Sequence, residues 1–216
     1  MSKFAKFVLL GLALAGCVSA PVPQPPQSPS SPRLTPSATP IELSRDSIYH
    51  LSGEWQDHNG KATELRRLRG RIRILAMFYA SCKGACPRLI QDMLVLEKGL
   101  SPVARARVGF VLVTIDPDVD SPARLAQVAQ ERGLDLQRWQ LLRGDLPQVQ
   151  DLGALLGFRF RRTSATDYAH SNLISILNSE GELIHQQVGL GIDPAESLAV
   201  VQGLLEKEEL PACCRE

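Results

Sequence analysis

From residue 71 onward the apolar positions change period several times, and each change marks an element. Arg71 to Tyr79 (RIRILAMFY) opens with alternation and then turns wholly apolar, the pattern of a strand entering the middle of a sheet. From Pro87 to Lys98 the apolar residues are Leu89, Ile90, Met93, Leu94 and Leu96, which share a helical face, and Gly99 stands where that helix stops. Val108 to Ile115 (VGFVLVTI) is a continuous apolar run of buried-strand type. It leads through Asp116-Pro117-Asp118-Val119-Asp120 to Ser121, which can cap, and Pro122, which can open a helix to Arg132 before Gly133. Trp139 to Leu142 predicts a short strand and Leu146 to Leu156 a helix ending at Gly157. Beyond 158–162, Leu173 to Leu177 and Leu183 to Val188 predict an antiparallel hairpin joined across 178–182, and Asp193-Pro194 opens a last helix to about Leu205. Ahead of all this, Ile48 to Trp55 and Lys61 to Leu65 flank Asp57-His58-Asn59-Gly60, whose Asn-Gly predicts a hairpin turn.

Parallel βαβ units followed by an antiparallel hairpin and a helix give an α/β thioredoxin-like sandwich, here with an N-terminal β-hairpin extension. That domain spans 41–210, and no internal repeat is visible.

The flanks have different compositions. Lys3 and Lys6 precede an apolar run from Phe7 to Ala15 that is too short to span a bilayer, and Leu14-Ala15-Gly16-Cys17 resembles a bacterial lipobox. On this reading 1–16 is a lipoprotein signal peptide and Cys17 a lipidated N-terminus; a secretory signal cut after Ala20, or an uncleaved anchor, also exports the domain. Residues 17–40 are dominated by Pro, Ser, Thr and Gln, a composition with little to bury and many missing amide donors. They form a spacer, and at ~3.1 Å per residue some twenty residues reach roughly 60 Å. The chain is expected to be extracytoplasmic, lipid-anchored to a bacterial membrane and facing the periplasm. A formal net charge of +1 gives no reason to expect a nucleic-acid partner.

Candidate chemistry begins at Cys82-Lys83-Gly84-Ala85-Cys86-Pro87. In an oxidising compartment two thiols this close form either a disulfide or a soft metal site. Pro87 suits the first position of a helix, so Cys86 is expected near the N-cap, where exposed amides and the helix dipole favour its thiolate. Gly84 leaves the turn free to fold back and bring Cys82 to Cys86. So short a loop restrains the unfolded chain little, which argues against a purely structural disulfide. Cys213 and Cys214 lie in a tail, 211–216, where they form a vicinal disulfide, relay electrons, add soft ligands, or are incidental.

Cysteine plus imidazole suits copper, so the four histidines matter. His50 and His58 belong to the polar N-terminal hairpin, where an exposed or locally bonded ring suffices, and His185 is expected to face solvent on a strand. His170 lies in the loop Thr163 to Ser171, ahead of the strand Leu173 to Leu177. In a thioredoxin-like sheet that loop packs beside the helix carrying the cysteines.

The three elements Cys82-x3-Cys86-Pro87, Thr114-Ile115-Asp116-Pro117-x2-Asp120-Ser121-Pro122 and His170-Ser171, in this order, resemble the Sco/SenC family of copper-binding thioredoxin-like proteins over roughly 51–205. The resemblance implies copper, as Cu(I) or Cu(II) or both, held by Cys82, Cys86 and His170, with Cys82 and Cys86 also a redox pair able to form a reversible disulfide. It implies a metallochaperone, or a thiol-disulfide reductase, that matures the copper-bearing subunit of a haem-copper respiratory oxidase, with a copper donor protein or thiol reductant as a further partner.

Two positions depart from the family's pattern. Many members have Pro directly after the first cysteine, where this chain has Lys83, and an acidic residue often precedes the histidine, where this chain has Ala169. Asp116 and Asp120 are assigned to loop structure and helix capping. Other functions use similar parts. A copper-independent thiol-disulfide oxidoreductase or redox sensor needs the same thiols, but such proteins normally carry CxxC and a proline before the facing strand. A thiol peroxidase would use Cys82 against peroxide, yet 77–81 lacks the Pro and Thr usual before that nucleophile.

Overall fold

The computed structural model describes residues 43–209. The expected signal peptide 1–16, the expected lipidation site Cys17, the expected linker 17–40 and the pair Cys213 and Cys214 lie outside the described residues.

The fold is built on two strands, β3 (Ile72–Phe78) and β4 (Val108–Thr114), in which every residue is buried. Their near-continuous apolar sequence fits that position, because a central parallel strand is covered on both faces. They pair in parallel from Ile72 opposite Val108 to Phe78 opposite Thr114. On one side β5 (Trp139–Arg143) continues the parallel set, with Phe110 stacked on Trp139 at 4.8 Å. On the other, β8 (Leu173–Leu177) and β9 (Leu183–Val188) follow antiparallel, as the hairpin pattern predicts. The N-terminal hairpin, β1 (Trp55–Asp57) and β2 (Ala62–Thr63), is stitched onto β5, so the sheet order is β2-β1-β5-β4-β3-β8-β9. Five helices accompany the strands: α1 (Ala85–Gly99), α2 (Pro102–Arg107), α3 (Pro122–Glu131), α4 (Leu146–Leu155) and α5 (Ala195–Glu209). Two further short strands, β6 (Phe160–Arg162) and β7 (Tyr168–His170), form a separate antiparallel ribbon. The architecture is the expected thioredoxin-like α/β sandwich.

Several elements differ from their predicted extents. The first arm of the N-terminal hairpin is not extended from Ile48: residues 48–50 form a 3-10 turn capped by the Ser47 hydroxyl, and Gly53 at φ +128 breaks the run before Trp55. The turn itself holds, with Asp57 Oδ1 accepting from the amides of Asn59 and Lys61. Helix α2 was not anticipated, although Ser101-Pro102 repeats the Ser121-Pro122 cap signature and the Ser101 hydroxyl accepts from the amide of Ala104. His170 closes β7, opposite Phe160, instead of sitting in a loop.

Candidate metal centre

Strand β3 delivers Phe78 and Tyr79 to the C-terminal edge of the sheet, and residues 80–84 turn the chain into α1. That turn is held from below by the loop between β4 and α3. Asp120 Oδ2 accepts from the Ala80 amide at 2.9 Å and from the Thr114 hydroxyl, while Arg124 donates to the Ala80 carbonyl at 3.1 Å. Helix α1 begins at Ala85, with Gly84 as its N-cap, two residues before the expected start at Pro87. The consequence reverses the expectation for the thiols. Cys86, already the second residue of the helix, turns its side chain into the core, and the sulfur that meets the open amides is that of Cys82, which accepts from the Cys86 N–H at 3.3 Å.

The two thiols are therefore unlike. Burial pushes the Cys86 thiol well up, a hydrogen bond from the Tyr79 backbone only partly opposes this, and the neighbouring Cys82 and Asp120 charges push it further. Burial also acts upward on Cys82, but hydrogen bonds from the Cys86 amide and thiol, the Gly84 amide and the Tyr79 hydroxyl outweigh it and hold this thiol below the ordinary cysteine value. Both thiols are free in this structure.

His170 arrives on the β6–β7 ribbon, whose base is pinned by Ser171: its amide donates to the Arg159 carbonyl and its hydroxyl accepts from the Arg159 amide. The far side of the ribbon is tied to Asp116, which accepts from Arg162 at 2.7 Å and from the Tyr168 hydroxyl at 2.9 Å. Tyr79 bridges the two halves, 5.2 Å from the Tyr168 ring and edge-on to His170 at 5.7 Å, with Phe158 stacked beyond at 6.1 Å. His170 Nδ1 lies 2.7 Å from the Ser171 carbonyl oxygen. A carbonyl can only accept, so Nδ1 carries the proton and Nε2 of the neutral ring presents its lone pair. Nε2 is 3.9 Å from Cys86 Sγ.

The ligand atoms of Cys82, Cys86 and His170 all lie within 4.8 Å of one another, and among the described residues this is the one group of three or more Cys, His, Asp or Glu donors so convergent. Three N and S donors around a single ion with bonds of about 2.0–2.3 Å stand about 3.5–4.0 Å apart, so a small contraction closes the set. Two sulfurs and an imidazole are a soft donor set, suited to thiophilic ions and unsuited to Mg or Ca.

The other histidines are elsewhere. His50 Nε2 is 2.8 Å from the Ser44 carbonyl, and His185, half-buried and not solvent-facing, is 3.2 Å from the Ser197 hydroxyl. His58 is buried in its turn, which rules out the first of the two expected settings, exposed or locally bonded. Asp116 and Asp120 do more than shape their loop: one braces the histidine ribbon and the other the cysteine turn. Their spacing was readable, but their partners at Ala80, Arg162 and Tyr168 are contacts across the fold.

Residues 48–206 match the family model described as SCO1/SenC. A protein of Stutzerimonas stutzeri described as copper-binding is 29% identical over 136 residues, 60% of this chain and 64% of that one, so the chain spans less than two thirds of that relative. Among solved structures, a SCO1/SenC family lipoprotein from Bacillus anthracis superimposes with a TM-score of 0.61 at 20% identity, covering 71% of this chain and 90% of that one. Yeast Sco1 with copper bound gives a TM-score of 0.62 at 18% identity, covering 76% and 91%.

Proposed function

Because the chain belongs to the SCO1/SenC family, we propose that it is a membrane-tethered, extracytoplasmic metallochaperone that carries copper between Cys82, Cys86 and His170 for the assembly of a haem-copper oxidase. The observation that carries this reading is the convergence of those three side chains to within 4.8 Å. Copper is here the cargo, and the copper-bound state of yeast Sco1 and the copper-binding description of the Stutzerimonas protein support that choice.

The residues divide the work. Cys82 and Cys86 supply thiolates, and their protons leave on binding, since the metal-bound form of a thiol is the thiolate. The Ser171 carbonyl keeps His170 in the tautomer whose Nε2 can bind. Cys82, 9% exposed against 2% for Cys86, is the thiol an incoming partner ligand reaches first, so release proceeds by exchange at Cys82 while Cys86 and His170 still hold. The likeness to a family lipoprotein supports Cys17 as the lipid anchor and 17–40 as the spacer that lets the domain reach the copper-bearing oxidase subunit, a copper donor or a thiol reductant.

The unequal thiols favour one companion activity, thiol-disulfide reduction. Cys82 thiolate attacks a disulfide sulfur of the partner, releasing one partner thiol. Cys86 then displaces the second, leaving the Cys82–Cys86 disulfide and a partner carrying two more protons and two more electrons.

The deciding experiment is an anaerobic Cu(I) titration of the reduced mature chain beside His170→Ala and the Cys82→Ser/Cys86→Ser double variant. One tight equivalent, lost in the double variant and weakened by more than about tenfold in His170→Ala, is expected. Unchanged affinity in His170→Ala removes that residue from the centre, and tight binding that survives the double variant overturns the assignment.

A further inference from the structure

The ribbon that carries His170 also carries charge that the centre does not use. Arg159, Arg161 and Arg162 lie within four consecutive residues, and only Arg162 is tied down, by Asp116. Arg159 and Arg161 are exposed, and neither guanidinium has a hydrogen-bond or ion-pair partner among the described residues. Both line a shallow cleft of about 350 Å³ whose other walls are Phe160, Ala169, His170 and Ser171, with no carboxylate among the described lining. On the opposite flank, Arg161 and Phe160 also border a cavity of about 590 Å³ where Val119 and Leu146 expose apolar surface. Asp118 lines that second cavity and Asp167 lies between β6 and β7, while the cleft itself has neither among its lining. Because Phe160 pairs with His170 and Arg161 with Ala169, the two arginines stand on the outer face of the ribbon, backing the strand that carries His170.

From this we infer that the cleft beside His170 is a docking surface for an acidic, extended segment of a protein partner, read by Arg159 and Arg161. The spacing identifies the occupant. Arg159 directly precedes β6, held to Ser171 by two hydrogen bonds, and Arg161 is the middle residue of β6; residues two apart in extended backbone project to one face about 6–7 Å apart, and an extended acidic segment repeats its carboxylates at that same pitch. Opposed charges beside an exchange site speed encounter and fix orientation more than they add affinity, which suits a partner that must leave once cargo or electrons have passed. The inference rests on the proposed centre for its purpose, but its test needs no copper.

The test is an NMR titration of the reduced, metal-free chain with a short oligoglutamate peptide, with oligolysine as the control. Amide shifts confined to 159–162 and 168–171 are expected, lost at about 1 M salt, where the Debye length is about 3 Å. In Arg159→Ser/Arg161→Ser binding should weaken roughly tenfold, and in Arg159→Glu/Arg161→Glu the preference should switch to oligolysine. No shifts, shifts elsewhere, or shifts that survive both double variants would overturn the inference. A chain that binds oligoglutamate here but fails the Cu(I) titration would sink the copper reading and leave the docking surface standing.

Discussion

Cys86 Sγ and His170 Nε2 lie 3.9 Å apart although 84 residues separate them, and the contact faces Nε2 because the Ser171 carbonyl occupies Nδ1. In the metal-free chain at a pH where the ring is neutral, His170 is therefore expected as the Nδ1–H tautomer, the less common form in free imidazoles. Long-range ¹H–¹⁵N correlation of the ring nitrogens reads this directly. A protonated Nε2 would mean that the lone pair faces away from the thiols and that the ring must turn over before it can bind.

The two thiols should differ in reactivity. Cys82 is the more exposed and its thiol is held below the ordinary value, whereas burial holds that of Cys86 above it. As pH rises, thiolate accumulates at Cys82 first, so limited iodoacetamide treatment near neutral pH should label Cys82 at least about tenfold faster than Cys86, read by peptide mass mapping. Equal labelling, or Cys86 first, would restore the sequence expectation that the helix N-terminus activates Cys86.

That reversal shows what the chain alone could disclose. The strand-turn-helix order and the three chemistry-bearing residues were legible because period changes, Ser-Pro caps and the Cys82-x3-Cys86 spacing are local signals. Which sulfur meets the helix amides was not, because it depends on whether α1 starts at Ala85 or Pro87, and Pro tolerates any position of the first turn. The roles of Tyr79 and Phe158 around His170 were equally hidden, since no local signal ties either ring to His170 until the β6–β7 ribbon folds over the motif.

Asp120 and Asp116 should separate as braces for the two halves of the centre. Asp120→Ala leaves the Ala80 amide and Thr114 hydroxyl without their acceptor, at a cost of about 1–3 kcal/mol, which for a chain of this size lowers Tm by several degrees. Asp116→Ala frees Arg162 and Tyr168 instead. Hydrogen exchange should quicken at 79–82 in the first variant and at 160–170 in the second. Exchange that rises equally across both segments in either variant would show that they act only on global stability.

The tyrosines supply a pH test of the fold. The chain has three, Tyr49, Tyr79 and Tyr168, and burial raises each phenol from 10.0 to about 12, with Arg73 partly opposing the rise at Tyr49. Between pH 10 and 12 the native chain therefore holds phenol protons that the unfolded chain has released, so stability is full below about pH 10 and falls as pH rises through that window. Tyrosinate absorbance should be nearly absent at pH 10 and appear together with loss of near-ultraviolet circular dichroism above it. A tyrosine that ionises near pH 10 while the fold persists would place that ring in contact with water, and if it were Tyr79 the enclosure of the centre between strand and ribbon would be lost with it.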